Sequence, residues 1–362
     1  MSASTGTTSL NARHVRGQPM RGTGLPLLPV LALLLGIVML AGVGIGPVRI
    51  PPDVALAIIL GKAGLDVPTV VSQQQEVVLW VIRLPRVLLA ALVGAALAVS
   101  GALLQAIFRN PLADPGLIGV SGGAAMGAIA VIVIGVLPFG TLTLPLVAFL
   151  CGTGTTLLVY RFSKQAGRTD IATMLLVGLA INAIAGAITG LLTYLADDDE
   201  VRSIVFWTMG GLSGALWNTL AGIVPAVVLV LLLAPLLARP LNLFALGEAE
   251  AHHLGVETER IKRLAIVLAA LATGAAVAVA GPISFIGLIV PHIVRLLTGA
   301  DLRRVLPACA IGGAGLLILA DLVARTVAQP AEVPVGLITA LAGGPFFLML
   351  IIKSRRRGGA GI

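Results

Sequence analysis

Apolar residues run along this chain in long stretches parted by short polar ones. They show neither the two-residue alternation of a half-buried strand nor the single stripe of a surface helix. Leu25 to Gly46 and Arg86 to Phe108 reach the roughly 20 residues a helix needs to cross about 30 Å of hydrocarbon. Lipid offers peptide groups no hydrogen-bond partner, so such stretches are expected to be helical. Bounded by charges, prolines and glycines, they predict ten spans at 25–46, 86–108, 117–136, 142–160, 171–195, 216–237, 261–280, 283–297, 304–328 and 335–352. The eighth is short and carries Pro291, which predicts a half-helix beside a cavity. Ser203 to Leu212 predicts an extra short helix outside the bundle. The expected fold is therefore an all-α integral membrane bundle, 25–352, between polar tails at 1–24 and 353–362.

Composition removes the soluble alternatives: 58% of residues are hydrophobic, 11% are charged and mean hydropathy is +1.05. The net charge of +8 invites a nucleic-acid reading, but the basic residues form short clusters between apolar runs, without aromatics for base stacking. With ten spans, placing both termini in the cytosol puts 18 of the 24 Lys and Arg inside and 6 outside, a positive-inside asymmetry. The 1–24 segment is polar and basic at Arg13, Arg16 and Arg21, which predicts a disordered cytosolic tail. A cleaved signal peptide is disfavoured, because its apolar core would be too long and no A-x-A site follows. The two cysteines, Cys151 and Cys309, sit in apolar stretches without metal-ligand spacing.

Gly94-Ala-Ala-Leu-Ala-Val-Ser-Gly101 recurs as Gly274-Ala-Ala-Val-Ala-Val-Ala-Gly281, 180 residues later, and each copy precedes a proline and then Gly-Leu-Ile, at Gly116 and at Gly287. The copies fall in the second and seventh expected spans, an odd number apart. They must run in opposite directions, as in transporters built from inverted repeats.

Longer motifs follow in a fixed order: Arg83-Leu-Pro-Arg86, Gln105, Asn110-Pro-Leu-Ala-Asp-Pro-Gly-Leu-Ile-Gly119, Leu246-Gly-Glu-Ala-Glu-Ala-His-His-Leu-Gly255, Gly281-Pro-Ile-Ser-Phe-Ile-Gly-Leu-Ile-Val-Pro-His292, Ala320-Asp-Leu-Val-Ala-Arg325 and Pro334 to Pro345. In these the chain resembles the FecCD/BtuC-type permeases of ABC importers for iron-siderophores and cobalamin. The resemblance implies a cobalamin-permease-like, type II importer subunit of ten spans in the cytoplasmic membrane. It also implies a second permease subunit, identical or a paralogue, two cytosolic ATPases and an extracytoplasmic binding protein. Gly61-Lys62 lacks the spacing and the Ser/Thr of a P-loop. No cofactor is expected on this chain; ATP and magnesium belong to the partner ATPases.

The resemblance assigns Arg83, Arg86 and Arg325 to docking of the binding protein, and a guanidinium fork suits carboxylates. Asp321, the one acid well inside a span, lies four residues before Arg325, which predicts a structural ion pair on one helix face. The loop 239–263 would couple to the ATPases through Leu246, Gly247, Glu248, Leu254 and Gly255, as two short helices with a glycine turn between. Asn110, Leu112 and Ile171 match positions of the cytosolic gate. His252 and His253 are neighbours and face apart, so no metal site is expected. A proton- or sodium-driven transporter would need more acids in its spans, and an intramembrane enzyme would need paired catalytic groups. The Gly343-Gly-Pro-Phe-Phe347 ending is more similar to siderophore than to cobalamin members, which makes an iron(III)-siderophore the expected cargo and cobalamin or haem the alternatives.

Overall fold

The computed structural model describes residues 27–356 other than 66 and 166, so the expected tail at 1–24 and the last part of the tail at 353–362 lie outside the described residues. The chain begins with α1 (Leu27–Gly44) and α2 (Pro52–Lys62). Next, α3 (Gln73–Val77) passes through a π-helical turn, Val78–Arg83, into α4 (Leu84–Phe108). Then come α5 (Val120–Ile134), α6 (Thr143–Phe162), a hairpin of β1 (Lys164–Gln165) and β2 (Arg168–Thr169), α7 (Ile171–Leu195) and α8 (Asp198–Met209). The second half holds α9 (Trp217–Leu233), α10 (Ala238–Leu243), α11 (Glu248–His253), α12 (Thr258–Ala280), α13 (Ile286–Thr298), α14 (Leu302–Ala324) and α15 (Val335–Arg356). Among the described residues, seven helical stretches are long and apolar enough to cross a membrane, and α5, α13 and part of α15 are shorter apolar helices.

Three elements depart from the sequence-based expectation. The second apolar helix starts near residue 73 rather than 86, because Ser72 and Gln75 form a capping box and the helix continues through polar residues. Pro85 lacks the amide for a regular i→i−4 bond, and the turn before it widens so that the Leu84 amide reaches the Leu79 carbonyl. Helix α2 was not expected; Asp53 in its first turn and Lys62 in its last suit its dipole, and Lys62 pairs with Glu76 at 2.6 Å. Helix α8 starts at Asp198 rather than 203, because Asp197 and Glu200 form a second capping box.

Helix α4 is the axis of the fold. Of its most apolar window 83% is buried, against 17% for α7 and 11% for α1. It packs on α14, α12, α13 and α9. Small residues bring the backbones together where lipid supplies no hydrophobic drive. A Cβ on Gly94 would fall on the Gly313 carbonyl, and one on Gly101 on the Gly287 carbonyl. Arg86, near the start of α4, meets Asp321, near the end of α14, so these two helices are antiparallel. Asn242 of α10 accepts from the Leu302 amide at the start of α14, and α11, which follows α10, is bonded through Glu248 to Lys262 near the start of α12, so α12 and α14 begin on one side. The repeat copies on α4 and α12 thus run oppositely, and the two helices touch where Thr273, just before the second copy, donates to Ser100 Oγ at 2.8 Å.

Candidate functional sites at the two ends of the bundle

At the end where α4 begins, three arginines gather from distant parts of the chain. Arg83, Arg86 and Arg325 are only 4%, 7% and 8% exposed, and each is engaged by partners within the chain. Arg83 donates to the Val43 carbonyl at 2.8 Å and to those of Gly44 and Val48, which ties α4 to the end of α1. Arg325 donates to the Gly42 carbonyl. Arg86 donates through Nε to Asp321 Oδ1 at 2.9 Å and through Nη1 to Glu332 Oε2 at 2.8 Å.

The expected Asp321–Arg325 ion pair is present, and it is one part of a network that also holds Arg86 and Glu332. Arg325 Nε stands 3.4 Å from Asp321 Oδ2, close enough for Coulomb attraction, but both atoms lack a hydrogen-bond partner. The hydrogen bond to Asp321 comes from Arg86, 235 residues away in sequence. Three guanidiniums face two carboxylates, so the cluster carries one surplus positive charge. Glu332 is its one open side, with a side chain 47% exposed. Trp80 and Trp217 lie at the same end, with ring centroids 5.0 Å apart, as interfacial aromatics should.

The opposite end holds the expected coupling loop and gate. Helix α10 and the 3-10 turn Phe244–Leu246 stop at Gly247, and α11 stops before Gly255. Their φ values of +123° and +87° are ones other residues adopt only with strain, so two glycines shape this loop as its pattern implied. Leu246 and Leu254 flank α11 and are 62% and 61% exposed. Two such side chains on a charged loop need a protein partner to leave water. Beside them opens a cavity of about 1190 Å³, lined by Lys164, Arg168, Glu248, His252 and Arg260 among others.

Asn110 follows Arg109, whose left-handed φ of +48° ends α4, and Asn110 Oδ1 accepts from the Leu112 amide at 2.9 Å. Leu112 is exposed, and Ile171 is half-buried against the main core. All three lie at the loop end, although no hydrogen bond among the described residues joins Asn110 or Leu112 to Ile171. Sequence reasoning missed Lys262, Glu259 and Thr169, which meet beside α11. The only cue in the sequence is the i,i+3 spacing of Glu259 and Lys262. Nearby, Asp301 caps α14, and the hydrogen bond from Arg303 holds its carboxyl well below the usual carboxylate range. Among the described residues no three His, Cys, Asp or Glu could share a metal ion.

A bundle of apolar helices around an antiparallel repeat pair, with charge confined to its ends, defines a multi-pass membrane transport protein. The chain matches the FecCD transport family over residues 33–353, and it belongs to that family. It is 49% identical over 279 residues to the hemin transport system permease protein HmuU of Yersinia pestis, which covers 76% of this chain and 83% of that one. It is 45% identical over 287 residues to the cobalamin import system permease protein BtuC of Halobacterium salinarum, covering 78% and 75%. A solved structure described as a metal-chelate type ABC transporter in an inward-facing conformation superposes with a TM-score of 0.79 at 36% identity, covering 90% of this chain and 99% of that one. The protein is thus a membrane permease subunit of an ABC importer, with its ATPase on a separate chain.

Proposed function

We propose that this chain is the translocating half of an ATP-driven importer for an intact metal chelate, with an iron(III)-siderophore as cargo. The observation that carries the metal-chelate class is the similarity over most of the chain to permeases named for hemin and cobalamin and to a metal-chelate transporter. Within that class the Gly343–Phe347 ending supports a siderophore. Haem is the second reading, favoured by the 49% identity to the hemin permease. Energy comes from ATP and magnesium on two cytosolic ATPases. The path lies between this chain and a second permease subunit, and alternating access opens it to either side in turn.

In this reading the arginine end faces outward and the loop end faces the cytosol, with both termini there and the whole in the cytoplasmic membrane. Docking of the binding protein uses the surplus charge of the Arg83, Arg86 and Arg325 cluster, entered from the Glu332 side. Coupling uses exposed Leu246 and Leu254 with Gly247, Glu248 and Gly255, while Asn110, Leu112 and Ile171 form the inner gate. Proteoliposomes holding the permeases, ATPases and binding protein decide the cargo when offered labelled ferri-siderophore, haemin and cobalamin separately. ATP-dependent uptake of the ferri-siderophore is expected; haemin uptake alone selects the second reading, and uptake that ignores ATP rejects both. Labelling of Glu250→Cys by an impermeant reagent from outside intact cells would overturn the orientation.

A further inference from the structure

Helix α11 is held to the bundle by the packing of its buried Ala251 and, through side-chain hydrogen bonds, by a single buried cation. Lys262, in the first turns of α12, is 1% exposed. Its Nζ donates to Glu248 Oε1 at 2.6 Å, to the Thr169 carbonyl at 3.1 Å and to Glu259 Oε1 at 3.2 Å. An ammonium has three N–H donors, and these partners use all of them. Each partner stands on a different segment: Glu248 on α11, Glu259 on α12, and Thr169 on β2, which leads through Asp170 into α7. Glu259 grips β2 as well, accepting from the Thr169 amide at 2.9 Å and its hydroxyl at 2.8 Å. Among the described residues, the Glu248–Lys262 bond is the sole side-chain hydrogen bond from α11 to another helix.

We propose that Lys262 is the positioning residue that passes movement of α11 to the start of α7 and so to Ile171. The proposal rests on the reading of α11 as the ATPase-coupling helix. A displacement of Glu248 takes from the buried Lys262 ammonium its shortest partner and leaves it only Glu259 and the Thr169 carbonyl, so the two side chains move together. Lys262 in turn cannot shift without pulling the Thr169 carbonyl, one residue before the Asp170 cap of α7. The linkage is charge-assisted, with the ammonium buried and its two carboxylates about one-third exposed. An ion pair that merely anchored the loop would need no bond to β2.

The test follows α11 and α7 separately in the assembled complex. Spin labels at Ala249→Cys and at Ala172→Cys are each paired with one at Phe139→Cys, in a background of Cys151→Ser and Cys309→Ser. In the otherwise native permease both distances should change when ATP binds. In Lys262→Met the Ala249 distance should still change and the Ala172 distance should not. ATP hydrolysis should persist while transport per ATP falls about tenfold, a common size for coupling between sites. If Lys262→Met does not assemble, Lys262→Gln, which removes the charge and can serve fewer of the three acceptors, should give the same split. A normal Ala172 response with normal transport per ATP in an assembled variant overturns the proposal. A native complex in which the Ala249 distance ignores ATP instead overturns the coupling reading on which it rests.

Discussion

The two ends of the bundle bury basic side chains in different ways. At the arginine end, guanidiniums join α1, α4 and α14 through main-chain carbonyls and one deeply buried carboxylate, and all three helices are long, with α4 and α14 packed closely on one another. At the loop end, one ammonium joins a six-residue helix, a two-residue strand and the first turns of α12 through carboxylates that keep part of their surface in water. The first arrangement fixes helices that already touch along their length. The second ties small pieces to one another, beside the packing of buried Ala251. Similar charge chemistry thus braces one end and links movable parts at the other.

The largest effect should come from Asp321→Asn. It leaves Arg86 and Arg325 under-paired where water cannot reach, and breaking a buried pair this way costs about 3–5 kcal/mol. Thermal unfolding of the purified permease in detergent should show it. Glu332→Gln, at a half-exposed site, should cost no more than about 1 kcal/mol by the same assay. If docking enters from this side, that variant should also tighten the complex with the binding protein at low salt, where screening is weak. Equal losses for the two variants would erase the distinction between the buried core of the cluster and its rim.

A middle-sized effect tests whether the packed axis is as rigid as the arginine end implies. Gly101→Ala places a methyl on the Gly287 backbone and should cost about 1–3 kcal/mol, the usual range for overpacking. Gly154→Ala, where a Cβ meets nothing within 4 Å, should be near neutral or slightly stabilising. A neutral Gly101→Ala would mean that α4 and α13 slide freely past one another.

The smallest effect concerns Asp301 at the loop end. Its carboxyl is held below the ordinary value by Arg303, so the ion form is favoured in the folded chain. Its stabilising contribution is therefore full above the unfolded value of about 3.9 and disappears as the pH falls through the lower folded value. The melting-temperature gap between the wild type and Asp301→Asn should narrow as the medium is acidified through that window. A gap that widens instead would contradict the assigned partner.

Much of the fold was legible because a membrane span is an almost purely local signal. The long apolar runs, the half-length α13 with Pro291 and the glycines at 247 and 255 each announce themselves within a few residues. Helix α2 escaped because its 11 residues are too short for a span and sit among prolines and polar residues that read as loop. The beginning of the second long helix escaped because Gln73 to Glu76 look solvated, and their capping role needs three-dimensional geometry. Asp321 was found, but its main partner was not: four residues separate it from Arg325, whereas only the packing of α4 on α14 brings Arg86 to it. The Lys262 junction stayed hidden for the same reason, since Thr169 and Glu248 are distant in sequence and neither stands out alone.

The contacts of Gly94 with Gly313 and of Gly101 with Gly287 bear on the history of the chain. Each joins a position in the first half to one in the second; Gly94 and Gly313 each leave no room for a side chain on the other, and the Gly287 carbonyl leaves none on Gly101. The halves are therefore not interchangeable copies free to drift apart. A new side chain at Gly94, Gly101 or Gly313 has to be answered by a shift in the opposite half. A second half exchanged for that of a distant relative would fit without such a shift only where the incoming segment brought glycine to face position 94.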